Sequence, residues 1–246
     1  MVRDWSVYEK NQLIRYGLSD NDLTPYGEMP VEYITGHAQF DGLDFLVTKD
    51  VLIPRVESVQ MLSEAERLID GRMETVFAEI GTGSGAIGIS LFQRLKRRGA
   101  KVNAVLSEIS AEALGVAKKN LANLVGETDE VNLIESNLME TVKEPEWFDL
   151  IIANLPYIPS SRVPRLPESV VNYEPHVALD GGADGLTLVK KLLIQAKNRL
   201  NSGGALILEI DYSHDIADFV EIKGYQYEIV QDEFGQNRFL IAKLRH

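Results

Sequence analysis

The sequence predicts an α/β chain built on a mostly parallel sheet with helices on both faces. Three observations carry this. From Thr75 onward, short apolar strands alternate with amphipathic helices. A glycine-rich turn, "GTGSGA", joins the first of these strands to a helix. Near the end, "YQYEIVQDEFGQNRFLIAKL" reads as strand–turn–strand.

The elements follow in order. Asp4 to Tyr16 has the spacing of an amphipathic helix, with Trp5, Tyr8, Leu13 and Tyr16 as buried positions. "SDNDLTPYGEMP" reads as loop. "YITGHAQFDGLDFLVT" is strand-like on both sides of Asp41-Gly42, a hairpin signal. "LIPRVES" then leads into a helix from Glu57 to Ile69. "TVFAEI" is an apolar strand, and "GTGSGAIGISLFQRLKRRG" a turn that opens a helix. "KVNAVLSE" is the next strand. "SAEALGVAKKNLANL" is a helix with Ser110 as N-cap and Glu112 in its first turn. "EVNLIES" and "FDLIIAN" are strands. A Pro-rich loop precedes a helix from Gly185 to Leu200, the strand "GGALILEI" and a short helix over Ser213–Val220. No internal repeat, and no linker long enough to separate two large domains, interrupts this order.

Composition narrows the class. The 246 residues are 45% hydrophobic and 25% charged, ordinary for a globular chain. The absence of cysteine excludes disulfides, thiol nucleophiles and thiolate metal sites. The start has no apolar signal core, and no apolar run approaches the roughly 18 residues of a membrane span. The reading is a cytoplasmic protein with no membrane attachment. A net charge of −12 argues against a surface that grips nucleic acid. The one basic run, Gln93–Lys101, reads as the solvated end of a helix.

The chemistry begins at "EIGTGSGA". Gly81, Gly83 and Gly85, with Thr82 between them, follow a strand and open a helix. Glycine permits positive φ and close backbone approach, and the helix start offers free N–H groups. Glu108 ends the second strand, where a carboxylate accepts from ribose hydroxyls. Gly81, Gly83 and Ala86 also satisfy the dinucleotide pattern, so an adenosine-containing cofactor is expected and NAD stays open. Glu79, two residues ahead of Gly81, suits a cationic ligand and not a pyrophosphate. It tilts the reading to S-adenosylmethionine.

"NLPY" closes the fourth strand at the same crevice. The Asn154 side chain carries an acceptor, and Pro156 holds Leu155 extended, so that the Leu155 carbonyl can stand beside it. Two such acceptors can hold both hydrogens of one –NH2 group, while Tyr157 offers a ring face. Such a site orients a planar amine for in-line attack on a methyl group. The acceptor amine can belong to an amide or to adenine. No metal site is expected. His37, His176, His214 and His246 lack ligand spacing, and Asp180–Gly185 reads as a tight turn. As a calcium loop it would put Lys191 where a bidentate Glu is needed.

Several stretches carry a family resemblance. They are "PVEYITGHAQFDGLDFLVTKDVLIPRVES", "EIGTGSGAIGISL", "NLPYIP", "YEPHVALDGGADGL", "GGALILEI" and "RFLIAK". In order and spacing the chain resembles the HemK-like protein-(glutamine) methyltransferases that modify peptide chain release factors. The match covers nearly everything from Pro30 onward. It implies a Rossmann-like, seven-stranded S-adenosylmethionine-dependent methyltransferase fold with the last strand antiparallel. It implies a cofactor held by Gly81, Gly83 and Glu108, with Glu79 and Asn137 nearby. Asn154, Leu155 and Tyr157 would hold the substrate amide, and Arg55 and Glu57 would sit over the cofactor side. The substrate it implies is the glutamine of a Gly-Gly-Gln loop. Four departures stand out. Leu155 replaces the first proline of Asn-Pro-Pro-Tyr, and Asn-Leu-Pro-Tyr also occurs in ribosomal RNA adenine dimethylases. Glu79 and Asn137 stand where aspartates are usual. Val56 and Ser58 alter the Pro-Glu-Thr element. Only the first 29 residues precede Pro30, where the family has several helices.

The expected organisation is a helical arm over 1–29, a hairpin and linking helix over 30–70, and a methyltransferase domain over 71–246. The expected function is methyl transfer to a release factor glutamine. Its rivals are an adenine-amine methyltransferase, a non-catalytic cofactor-binding partner and an NAD dehydrogenase.

Overall fold

The computed structural model describes residues 3–18 and 24–245. Residues 19–23 of the expected loop, and His246, lie outside the described residues. Helix α1 (Val7–Arg15) starts later than the sequence pattern suggests, because Ser6 and Glu9 form a reciprocal capping box there. Leu13 is buried, Trp5 and Tyr16 are half-buried, and Tyr8 is exposed, its hydroxyl donating to Glu32. Tyr8 is thus a corrected core assignment. A short helix α2 (Val31–Thr35) leads into β1 (His37–Phe40) and β2 (Leu43–Leu46). These pair antiparallel with Phe40 opposite Leu43, and Asp41 and Gly42 both take positive φ, as a tight hairpin turn requires.

A 3-10 turn (Val56–Ser58) opens α3 (Val59–Leu68). Then come β3 (Glu74–Ile80), α4 (Ala86–Arg97), β4 (Lys101–Glu108), α5 (Ala111–Leu124), β5 (Val131–Glu135) and β6 (Phe148–Ala153). Ser110 caps α5 through the Ala113 N–H. The Pro-rich loop contains α6 (Glu168–Val171). Helix α7 (Thr187–Ala196) is shorter than Gly185–Leu200, because Leu200 already pairs with Phe148 in β7 (Leu200–Glu209). The Arg199 guanidinium fixes this corner by donating to the carbonyls of Val142, Pro145 and Glu146. Over Ser213–Val220 there is only a 3-10 turn, Ile216–Asp218, capped by Asp215. Strands β8 (Tyr225–Gln231) and β9 (Asn237–Leu244) close the chain.

The strands from β3 onward form one sheet of order β5-β4-β3-β6-β7-β9-β8, with β9 antiparallel to both neighbours. Side chains alternate between its two faces, as a strand period of two dictates. Phe77, Leu150 and Ile207 pack under α3 and α4. Ala78, Ile151 and Leu206 pack under α7. The hairpin is held against α5 by Asn120, which accepts from the Leu46 N–H and donates to the Leu46 and Ser84 carbonyls. The basic run is the end of α4, and its charges are spent locally. Arg94 pairs with Asp41 and Glu66, Arg98 with Glu66, and Lys96 with Glu130.

The strand order positions the site. After β3 the chain moves outward to β4 and β5, then returns to place β6 on the other side of β3. The carboxyl ends of β3 and β6 therefore flank the point where the order reverses. In open α/β sheets ligands bind in that crevice.

Candidate active site

A cavity occupies this crevice. Its walls come from the Gly81–Ser84 turn, the start of α4, Glu79, Glu108, Asn137 and Asn154–Pro156, with Val51–Arg55 and Pro175–Ala178 over the top. The glycine turn is pinned to β4 because the Gly81 and Thr82 N–H groups both donate to the Ser107 carbonyl, at 2.8 and 2.9 Å. Gly81 has φ of +74°, and a Cβ there would lie 3.0 Å from Leu155 Cδ2. Leu155 is buried and packs straight onto the turn.

Glu79 is only 1% exposed. Its Oε2 accepts from the Thr82 hydroxyl and from the Gly88 N–H at 2.9 Å. Burial pushes its carboxyl up to about 8, against the lowering effect of those two donors. Gly88, inside α4, lets the helix come this close: an added Cβ would collide with Glu79 Oε2 and Leu106. The Glu108 carboxylate takes the Ile109 and Ser110 N–H groups on Oε1 and the Gly83 N–H on Oε2. Of roughly four acceptor positions on a carboxylate, one on Oε2 stays open toward the cavity. Two hydroxyl donors, as expected from sequence, would require one of these amides to yield. Asn137 lines the cavity and donates to Glu140 at 3.1 Å.

At the end of β6 the register sets Ala153 beside Leu208, so Asn154 stands next to Glu209, the last residue of β7. Asn154 Nδ2 donates to Ser58 Oγ at 3.2 Å, and Ser58 donates to Glu209 Oε2 at 2.6 Å. The Tyr157 hydroxyl donates to Glu209 Oε1 at 2.9 Å. Burial pushes both Glu209 and Tyr157 upward; for Tyr157 the Glu209 charge adds to it. Above them the Arg55 guanidinium pairs with Glu174 at 2.6 Å, joining the two covering segments.

Three expected site residues do not line the cavity. Glu57 is exposed and outside the cavity wall, since the 3-10 turn directs its neighbour Ser58 inward instead. Gly85 is the left-handed N-cap of α4, and its missing Cβ makes room for Ile89 rather than for a ligand. Tyr157 does not line the cavity, because its hydroxyl is drawn to Glu209. Among the described residues no cluster of three His, Cys, Asp or Glu is placed to hold a metal ion. No described helix is long and apolar enough to cross a membrane.

Sequence reasoning missed Ser58, Glu209, Glu174 and Gly88. Glu209 was within reach: it ends an apolar strand at the crevice, the same logic that singled out Glu108. The roles of Ser58 and Glu174 depend on partners 151 and 119 residues away, which no local pattern reports.

The chain matches the family model described as methyltransferase small domain over residues 60–166. Among solved structures it resembles the hMettl16 catalytic domain in complex with MAT2A 3′UTR hairpin 6. The TM-score is 0.64 at 20% identity, over 82% of this chain and 75% of that one. A methyltransferase from Pyrococcus furiosus gives a TM-score of 0.53 at 22% identity, over 82% and 89%. At such identities the likeness speaks for the fold alone. Fold and family model together define an α/β methyltransferase.

Closer relatives sharpen this. The chain is 34% identical over 239 residues to the release factor glutamine methyltransferase of Clostridium acetobutylicum, covering 92% of this chain and 82% of that protein. It is 38% identical over 220 residues to the protein of the same name from Moorella thermoacetica, covering 88% and 75%. The chain belongs to the release factor glutamine methyltransferase family.

Proposed function

We propose that the chain transfers a methyl group from S-adenosylmethionine to the side-chain amide nitrogen of a glutamine, in the Gly-Gly-Gln loop of a peptide chain release factor. One observation carries this reading. The Asn154–Pro156 acceptor segment and the Gly81–Ser84 turn are walls of the same cavity, in a chain whose relatives bear that name.

The residues fit the cofactor. A buried carboxylate at Glu79 suits an ammonium group, the Gly81 backbone permits close approach, and Glu108 keeps an acceptor position for a ribose hydroxyl. When bound, S-adenosylmethionine supplies a methyl on a sulfonium, so that the S–CH3 bond breaks as the N–CH3 bond forms. The chain's task is to hold the acceptor nitrogen. Asn154 Oδ1 and the Leu155 carbonyl take no hydrogen bond from the described residues, and both are acceptors for the two N–H bonds of an amide. Fixing those bonds orients the nitrogen and favours the positive charge it gains, and its proton leaves to solvent afterwards. The Arg55–Glu174 pair ties the two covering segments together over this region.

Incubation with methyl-labelled cofactor and a release factor tests the reading, with RNA and DNA alongside. Label on the glutamine of the Gly-Gly-Gln peptide supports it. Label on nucleic acid alone overturns the substrate and favours an adenine amine as acceptor.

A further inference from the structure

We propose that Ser58 and Glu209 are positioning residues that decide which end of the Asn154 side chain faces the acceptor. This inference rests on the methyl-transfer reading above.

The argument is a count of donors. An amide side chain is nearly symmetric in shape, so packing alone does not choose between its oxygen and its –NH2. Only the oxygen can accept from a substrate amide. The choice is made by what touches the other end, and that group is Ser58 Oγ at 3.2 Å. A hydroxyl has one proton. In Ser58 that proton is committed to Glu209 Oε2 at 2.6 Å. Ser58 therefore meets Asn154 as an acceptor, which draws Nδ2 inward and turns Oδ1 away. Glu209 accepts at both of its oxygens, so it fixes the direction of the whole chain. Its second oxygen is occupied by the Tyr157 hydroxyl at 2.9 Å, so both of its oxygens are engaged. Ser58 and Glu209 are each 1% exposed, so water is not available to substitute for a missing partner.

This gives the Tyr157 hydroxyl and Ser58 related duties. Both donate a hydrogen bond to one buried carboxylate, from the two segments that flank the acceptor position. It also makes the Ser-for-Thr change in the Pro-Glu-Thr element a neutral one, because both residues carry the hydroxyl that the relay needs.

Glu209→Gln separates this role from a merely structural one. Glutamine keeps the shape but can donate to Ser58. The Ser58 proton then turns to Asn154 and pulls Oδ1 inward, reversing the amide. Glu209→Gln and Ser58→Ala are both expected to lower kcat about a hundredfold, the scale for misplacing a reacting group. Cofactor affinity should change little. Ser58→Ala should also lower the melting temperature, because it leaves Glu209 Oε2 and Asn154 Nδ2 buried without that partner, and Ser58→Thr should restore most of the rate and of the stability. A second measurement does not depend on the substrate. The Asn154 side-chain amide pair, assigned in a 15N spectrum by its loss in Asn154→Asp, should shift in both variants and return in Ser58→Thr. An Asn154 amide signal that does not move in Ser58→Ala, or wild-type kcat in Ser58→Ala, overturns the positioning role. A wild-type protein that transfers no methyl to the glutamine, yet shows the amide shift, overturns the substrate reading and leaves the relay standing.

Discussion

Glu79 should make cofactor binding depend on pH. The perturbation is a step from about pH 6 to about pH 7, where the ligand's α-amino group, with an ordinary value of about 7.7–8.0, stays largely protonated. The Glu79 carboxyl is fully buried and sits at about 8 without ligand. If its ionised form meets the ammonium, the apparent Kd scales as 1 + 10^(8 − pH), which predicts about ninefold tighter binding over that step. Close to one proton should be released per cofactor bound. The sign for folding is opposite. A carboxyl raised by burial favours the ligand-free fold at low pH, and this contribution is lost as pH rises from the ordinary value of 4.5 through about 8. Calorimetric titration in two buffers of different ionisation enthalpy measures both affinity and proton release. Glu79→Gln keeps an acceptor for Thr82 and Gly88 and should flatten the profile. A flat wild-type Kd with no proton release between those pH values refutes the assignment of Glu79 to the ammonium.

Three further outcomes follow from the same geometry. Asn154→Ala should leave cofactor binding nearly intact and slow methyl transfer by about two orders of magnitude, measured as kcat with labelled cofactor. Gly88→Ala drives a methyl into Glu79 and Leu106 and should cost about 1–3 kcal/mol in chemical denaturation, with weaker cofactor binding. Arg55→Ala leaves Glu174 buried without its partner. With Arg55 itself about one-third exposed, the loss should be about 1–3 kcal/mol, and adding Glu174→Gln should recover part of it.

Most of the sheet was legible because its inner strands meet the core on both faces and read as apolar runs. Lys101–Glu108 matches its sequence segment end to end. Errors gathered where tertiary partners override local pattern. Helix α7 stops short because the Arg199 guanidinium and the Leu200–Phe148 pairing claim the residues after it. Tyr8 has helical spacing for the core, but its hydroxyl finds Glu32 at the surface. The crevice itself was legible for a topological reason. Strand-end residues such as Glu79, Glu108 and Asn154 converge wherever the strand order reverses, and that much follows from alternation and right-handed crossovers. What converges from outside the alternating region was not legible, and Ser58 is the clearest case.

The stretch Arg55–Ser58 joins these findings. It lies before β3, the first strand of the seven-stranded sheet, and its two inward-acting residues are tied to different parts of the fold. Arg55 holds Glu174 in the covering loop, and Ser58 holds Glu209 at the end of β7. Val56 and Glu57 between them are exposed. Each tie depends on a charge taken out of water, which is costly unless its partner stays in place. A shift of this stretch therefore loosens the cover and frees the Asn154 amide together. The segment acts as a brace between the cover and the acceptor site, because its two ties lie only three residues apart in the chain.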